Sequence, residues 1–302
     1  MTDFTKELPD HTEKYIGEND LFLEIFEGEN LPKATNKRPP LLFVHGAYTG
    51  SWMWSKYIPH FISEGWKCYV MNLRSHYKSR LQDMTKITFE DYLEDIKEVI
   101  AECSDSPILI GFSMGGILSQ KLAETVEIAG LVLIDSVISR EVHEVVPYKE
   151  LVQMPPGIIL PAPTREELSS IDESADDIEF QRKYLSMESS KAFSAFSFSI
   201  EAKGISIDSS SISCPCLVIK AVNCDDDDRR GRATAEHIRA AYKGLWNTTH
   251  TGVLVGQRYM ETVDTIMDWL AYRILSQEND RSAKKPSPCR KSDAGNPPNI
   301  TP

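Results

Sequence analysis

Short apolar runs recur along the chain and alternate with longer segments in which apolar residues are spaced as on a helix. The runs cover residues 41–44, 68–71, 108–110, 131–134 and 216–219. Their shortness, their lack of polar alternation and their β-branched residues are typical of strands that are buried on both faces. Residues 89–100 and 117–126 have helical periodicity between the strands. The alternation predicts an α/β fold, with a mostly parallel sheet and helices on both faces.

The interval between residues 136 and 204 is too long for a single crossover. It contains several prolines, an acidic stretch and a segment rich in aromatic residues that can bury apolar surface. Long insertions in compact domains often cover active sites. We predict that residues 136–204 form a cap or lid of short helices over the carboxyl ends of the strands.

The remaining segments divide into a core and two ends. Residues 1–20 are polar and are expected to form a loose lead-in, and residues 21–26 alternate enough to predict an edge strand. Lysine, proline, serine and asparagine dominate residues 278–302, which predicts a disordered tail. The core is therefore assigned to residues 21–135 and 205–277.

The sequence Gly-Phe-Ser-Met-Gly at residues 111–115 follows a predicted buried strand and precedes a predicted helix. In that context a Gly-x-Ser-x-Gly motif indicates a nucleophile elbow, a turn too tight for side chains at its glycines. The free N–H groups at the start of the helix favour developing negative charge. Ser113 is therefore the candidate nucleophile.

The loop after residues 41–44 is the second place where catalytic groups are expected. It begins with a His-Gly-Ala sequence, and a loop there can supply one backbone N–H to an oxyanion. We predict Ala47 and Met114 as the two oxyanion donors. Tyr48 and Trp52 are expected to contact the substrate in a mostly apolar pocket.

The His-Gly start of this loop, the Gly-Ser-Trp-Met-Trp run at residues 50–54 and the stretch at residues 72–79 resemble the α/β-hydrolase superfamily. The similar branch contains plant-type methylesterases, hydroxynitrile lyases and many fungal and bacterial esterases. Ser75 and Tyr77 replace glycines that the family usually has there. The resemblance, which spans residues 41–275, implies an eight-stranded sheet and the chain order serine, acid, histidine.

The resemblance implies a base after the last strand, and His250 fits this position as general base and acid. The family's acid is expected just after the strand at residues 216–221, and the family's usual spacing places Cys224 at that position. A loop that is one residue longer places Asp225 there, and we favour this residue as the acid. A still longer loop would place Asp226 or Asp228 there. Asp135, at the end of the preceding strand, is the rival, and the run of aspartates could also be a solvated turn or a weak cation site.

Composition limits the partners of the protein. The chain has 302 residues and a formal net charge of −12, which disfavours binding to nucleic acid or to a membrane surface. No secretory signal, membrane span, dinucleotide or nucleotide motif, or zinc-type cysteine spacing is found in the sequence, so we expect a cytoplasmic protein without cofactor or metal. Its expected partner is a small-molecule substrate, and it is expected to be a monomer or homodimer.

These features favour a serine hydrolase that cleaves an ester or lactone of a largely apolar small molecule. Two alternatives remain because a fold does not determine a reaction. The same serine and histidine could serve a lyase, a cyclase or an acyltransferase of secondary metabolism. A hydrolase-like receptor that senses a small ligand is the other alternative.

Overall fold

A computed structural model describes residues 2–28, 38–149, 151, 155, 157–165, 170–199 and 201–283, with side chains described as far as residue 272. Its strands are β1 (Thr12–Ile16), β2 (Leu21–Phe26), β3 (Leu41–Val44), β4 (Cys68–Met71), β5 (Ile108–Phe112), β6 (Gly130–Ile134), β7 (Ile159–Leu160), β8 (Glu188–Ser189), β9 (Cys216–Val222) and β10 (Ala241–Trp246).

Eight of these strands form one sheet in the order β1-β2-β4-β3-β5-β6-β9-β10. The pairs β1–β2 and β2–β4 are antiparallel, and all other neighbours are parallel. The predicted α/β fold with a mostly parallel, eight-stranded sheet is therefore confirmed. The short strands β7 and β8 pair with each other outside this sheet.

The helices are α1 (Ile58–Ser63), α2 (Phe89–Glu102), α3 (Met114–Leu122), α4 (Arg140–Val145), α5 (Ala175–Tyr184), α6 (Ser190–Phe196), α7 (Asp225–His237), α8 (Gly252–Val255) and α9 (Tyr259–Ala283). They cover both faces of the sheet. Leu42 and Val44 of β3 pack in the cluster that includes α2 and α3. Leu41 and Phe43 of the same strand pack in the cluster that includes α1 and α9. Burial of successive residues on opposite faces explains why the strands lack polar alternation.

Both ends of the chain differ from the expectation. Residues Thr12–Ile16, which lie in the predicted loose lead-in, form β1 and occupy the edge of the sheet. The strand predicted to be an edge, β2, is therefore an internal strand between β1 and β4. At the other end, α9 continues to Ala283, past the predicted start of the tail at residue 278. The rest of that tail lies outside the described residues.

The segment predicted to form a cap contains the short helices α4, α5 and α6 and the β7–β8 pair. Ser174 and Asp177 form a capping box that starts α5, with bonds of 2.8 Å and 3.2 Å between side chains and backbone N–H groups. Phe180 on α5 is fully buried. The segment is therefore packed onto the core, because Phe180 belongs to the same buried cluster as Trp52.

Because β2 is an internal strand, we expect that removal of a buried side chain from either of its faces lowers the free energy of unfolding. Phe22 and Leu23 point to opposite faces and are 2% and 0% exposed. We expect Phe22→Ala to lower the free energy of unfolding by about 3–5 kcal/mol and Leu23→Ala by about 2–5 kcal/mol. Urea unfolding measures both. Leu81→Ala, at a side chain that is 69% exposed, is the control and should change it by less than about 0.5 kcal/mol. A small effect for either buried variant would contradict burial on that face.

Candidate active site

Ser113 lies on the sharp turn between β5 and α3. Its φ of 52° is in the left-handed region, which is strained for a residue with a side chain. The turn is possible because its glycines lack Cβ atoms: a Cβ on Gly111 would lie 2.5 Å from the carbonyl oxygen of Gly115. The Ser113 N–H donates to the carbonyl of Ile134 at 3.2 Å. Sequence and structure therefore agree on the geometry of this turn.

The imidazole of His250 lies between Ser113 and Asp135. Its Nε2 is 3.0 Å from the Ser113 hydroxyl oxygen, and its Nδ1 is hydrogen-bonded to a carboxylate oxygen of Asp135. The ring stacks on Phe112, with centroids 4.7 Å apart. His250 itself is 51% exposed. A serine hydroxyl, an imidazole and a carboxylate are thus connected in series, which is the arrangement that can transfer the serine proton to the ring.

Asp135 is buried at the end of β6 and has positive φ. Its other carboxylate oxygen accepts two hydrogen bonds, one from the ammonium group of Lys220 and one, at 3.2 Å, from the backbone N–H of Ala221. Burial alone would raise the pKa of Asp135, but the charges of Lys220 and His250 and their hydrogen bonds lower it to about 2. The carboxylate is therefore ionised and can orient the imidazole.

The preferred assignment of Asp225 as the acid is wrong as to position. The residue is exposed and starts α7, only three residues after β9 ends at Val222. The Nδ1 atom of His250, which the acid has to reach, is hydrogen-bonded to Asp135 instead. The alternates Asp226 and Asp228 lie on the same helix and form ion pairs with other residues. Asp226 pairs with Lys149 at 2.9 Å, and Asp228 pairs with Arg232 at 2.7 Å.

The loop with the predicted oxyanion donor lies beside the turn of Ser113. A Cβ on Gly46 would lie 3.1 Å from the Cβ of Ser113, so the loop approaches this residue closely. The backbone N–H groups of Ala47 and Met114 have no hydrogen-bond partner within the described ranges of the chain. Two free donors next to a serine are what an oxyanion site requires.

Tyr48 follows Ala47 with a φ of 65° and is half-buried. The cap holds its backbone, because Ser186 donates its N–H to the Tyr48 carbonyl at 2.9 Å. The buried carboxylate of Glu188 accepts the Tyr48 N–H at 3.4 Å and also binds His76 at 3.1 Å. The loop of the predicted oxyanion donor is therefore connected to Ser186 and Glu188 of the predicted cap segment.

Trp52 does not have the position expected of a substrate contact. It is 1% exposed and packs against two aromatic residues of α5, with ring centroids 5.5 Å from Phe180 and 5.7 Å from Tyr184. This residue belongs to the packing between core and cap. The run of aromatic residues in the sequence could not distinguish packing from a substrate wall.

Sequence reasoning did not find Lys220. The residue lies within β9, and its side chain is 13% exposed. The available signal was a single charged residue within an otherwise apolar strand, Cys-Leu-Val-Ile-Lys-Ala-Val at residues 216–222. A buried lysine needs a partner, since burial disfavours its charge. Here that partner is Asp135.

Three potential metal ligands near the start of the chain lie close together in space. Donor atoms of His11, Glu13 and Glu24 lie within 4.8 Å of one another. Their contacts are those of ion pairs, because Lys78 binds Glu13 at 2.8 Å and His11 lies 3.4 Å from Glu24. Glu24 raises the pKa of His11, which favours a protonated ring over a metal ligand. In the same described ranges, no helix has the length and apolarity needed to cross a bilayer.

Comparison with curated protein sequences finds no match. Solved structures do match, among them those of three esterases or lipases. A carboxylesterase of Nitrososphaera gargenis has 17% identity and a TM-score of 0.63 over 88% of this chain and 100% of its own. A thermophilic esterase from Thermogutta terrifontis has 17% identity and a TM-score of 0.60 over 87% and 99%. The monoacylglycerol lipase of Paleococcus ferrophilus has 18% identity and a TM-score of 0.61 over 83% and 98%.

Identities this low show a shared fold and leave the reaction open. The sequence itself gives the stronger evidence, because residues 41–265 match the model of the alpha/beta hydrolase family. That range includes the Ser113 turn, Asp135 and His250 and most of the sheet. The resemblance seen in the motifs is thereby confirmed, and the chain belongs to the α/β-hydrolase family.

Proposed function

We propose that the protein is a serine hydrolase that cleaves an ester or lactone of a largely apolar small molecule through an acyl-enzyme on Ser113. The observation that carries the proposal is the series of contacts from the Ser113 hydroxyl through His250 to the buried carboxylate of Asp135. Exposure of the imidazole at the turn leaves room for a substrate to approach. Family membership supports the same class of reaction.

In the proposed reaction, His250 accepts the Ser113 proton as the serine oxygen attacks the carbonyl carbon. Asp135 holds the proton on Nδ1, which leaves Nε2 free to act as the base, and it stabilises the positive ring. The N–H groups of Ala47 and Met114 bind the oxyanion. The ring then protonates the leaving alcohol. Water activated by His250 releases the acyl group and regenerates the serine.

The surroundings of Ser113 favour an apolar substrate. The Tyr48 ring, next to Ala47 in the chain, packs beside Phe193 of the cap with centroids 5.9 Å apart. Aromatic and aliphatic side chains with a few polar donors are typical of small-molecule sites. The similar structures described as a carboxylesterase, an esterase and a monoacylglycerol lipase support an ester as the substrate class.

A fluorophosphonate probe tests the nucleophile directly. We expect the probe to label the protein covalently, and Ser113→Ala to abolish labelling and most turnover of p-nitrophenyl esters. Mass spectrometry of the labelled peptide identifies the modified residue. An unlabelled protein, or turnover that survives in Ser113→Ala, would refute the acyl-enzyme. Labelling without turnover of any ester would favour a lyase, cyclase, transferase or receptor over a hydrolase.

Matched substitutions of two aspartates test the acid. Asp135→Asn should lower kcat/KM by about four orders of magnitude, because an amide does not hold the required imidazole tautomer or stabilise its charge. Asp225→Asn makes the same chemical change at the exposed start of α7 and should leave kcat/KM unchanged. Ester kinetics of both purified variants provide the measurement. A large loss in Asp225→Asn, with activity kept in Asp135→Asn, would return the role to the aspartate run.

A double-mutant cycle tests the contact of Asp135 with Lys220. Lys220→Met and Asp135→Asn should each cost about 3–5 kcal/mol of stability, because each removes one member of a buried ion pair. The double variant should cost clearly less than the sum, since neither charge remains. Denaturant unfolding of the three variants measures the coupling. Additive costs would mean that the two groups do not interact in solution.

A further inference from the structure

The loop that carries His250 is held from the cap. Asp172, which is 3% exposed, accepts the backbone N–H of Thr249 at 3.1 Å from each carboxylate oxygen. Its backbone carbonyl accepts the N–H of Gln257 at 2.7 Å. One acidic residue of the cap therefore fixes the chain on both sides of α8.

Glu173 contacts both neighbours of His250 in the chain. Its carboxylate oxygens lie 2.6 Å from the Thr251 hydroxyl and 2.8 Å from the Thr249 hydroxyl. The side chain is 1% exposed, so these bonds are shielded from water. The two residues that flank the imidazole are thus attached to the same buried carboxylate.

The charge of Glu173 is compensated within the cap. Arg165 lies 3.2 Å from one oxygen, and the Gln181 amide donates to the other at 2.7 Å. Burial would raise the pKa of Glu173, but hydrogen bonds from Thr251, Arg165 and Gln181 lower it. An ionised acceptor forms stronger hydrogen bonds than a neutral one, which stiffens the attachment of the threonines.

Two glycines after His250 allow Asp172 to approach the loop closely. A Cβ on Gly252 would collide with the carboxylate of Asp172, and a Cβ on Gly256 would lie 2.6 Å from its carbonyl oxygen. Both positions follow His250 closely and have no side chain. The close approach of the two segments therefore depends on glycines in the loop as well as on carboxylates in the cap.

His250 needs external support because half of its side chain is in solvent. Its ring has contacts with Ser113, Asp135 and Phe112. We propose that Asp172 and Glu173 are positioning residues, which hold His250 at the correct distance from Ser113 through Thr249 and Thr251. The inference rests on the proposed function, in which His250 is the base. Displacement of a base by about 1 Å can cost about a hundredfold in rate.

Glu173→Gln, Thr251→Val and Thr251→Ser test the inference. Glu173→Gln should lower kcat/KM and the rate of fluorophosphonate labelling by about a hundredfold. Thr251→Val should also lower both rates, because it removes the hydroxyl that donates to Glu173. Thr251→Ser keeps the hydroxyl and should have the rates of the unsubstituted protein. The ring ¹H–¹³C signals of His250, assigned through His250→Asn, provide a measurement without substrate. Their shifts should report the loss of stacking on Phe112 in the first two variants only.

Glu141→Gln is the matched control, the same change in another carboxylate of the cap, which binds the hydroxyl of Ser206 and, at 3.1 Å, the N–H of Ile207. It should leave labelling and the His250 signals unchanged. Equal losses in Glu141→Gln and Glu173→Gln would overturn the inference, because they would indicate general loosening of the cap. Unchanged His250 signals in Glu173→Gln and Thr251→Val would also overturn it. If the unsubstituted protein is not labelled, the proposed function fails, and the His250 signals still decide the positioning role.

Discussion

The position of the His250 imidazole between an alcohol and a carboxylate depends on the register of three parallel strands. Phe112 of β5 is paired with Ile134 of β6, and Ile134 is paired with Ile219 of β9. Ser113, Asp135 and Lys220 each directly follow one of these paired residues in the chain. The three residues therefore lie side by side towards the carboxyl ends of the parallel strands. The serine, the aspartate and the lysine are brought together by backbone hydrogen bonding before any side-chain contact is considered.

The turn at Ser113 and the position of His250 could be predicted from the sequence because both depend on local signals. A glycine-flanked serine between an apolar run and a helical segment is typical of one kind of turn, and a histidine before the last amphipathic helix follows the family's chain order. The parallel sheet was predictable for a similar reason, since burial on both faces leaves apolar runs without alternation.

The acid could not be selected in this way. Asp135 and Asp225 each follow a predicted strand, and the choice depends on how β6 and β9 align and on how soon α7 begins after β9. Neither quantity is visible in a local pattern.

The strand β1 was missed because its exposed, polar residues resemble a loop, and it is stabilised by pairing with β2. Trp52 was misassigned because a packed aromatic side chain and a substrate wall have the same composition.

The inserted segment and the core both contact the loops of the candidate site. The core supplies the strand ends with Ser113 and Asp135, whereas the cap contacts the loop of Tyr48 through Ser186 and the loop of His250 through Asp172 and Glu173. A cap over an active site is often treated as a module that determines which molecule enters. In this chain the two loops that border the serine would lose their attachments without the inserted segment. A chimaera that receives a foreign inserted segment therefore has to retain Asp172 and Glu173, or the loop of His250 loses the carboxylates that bind Thr249 and Thr251.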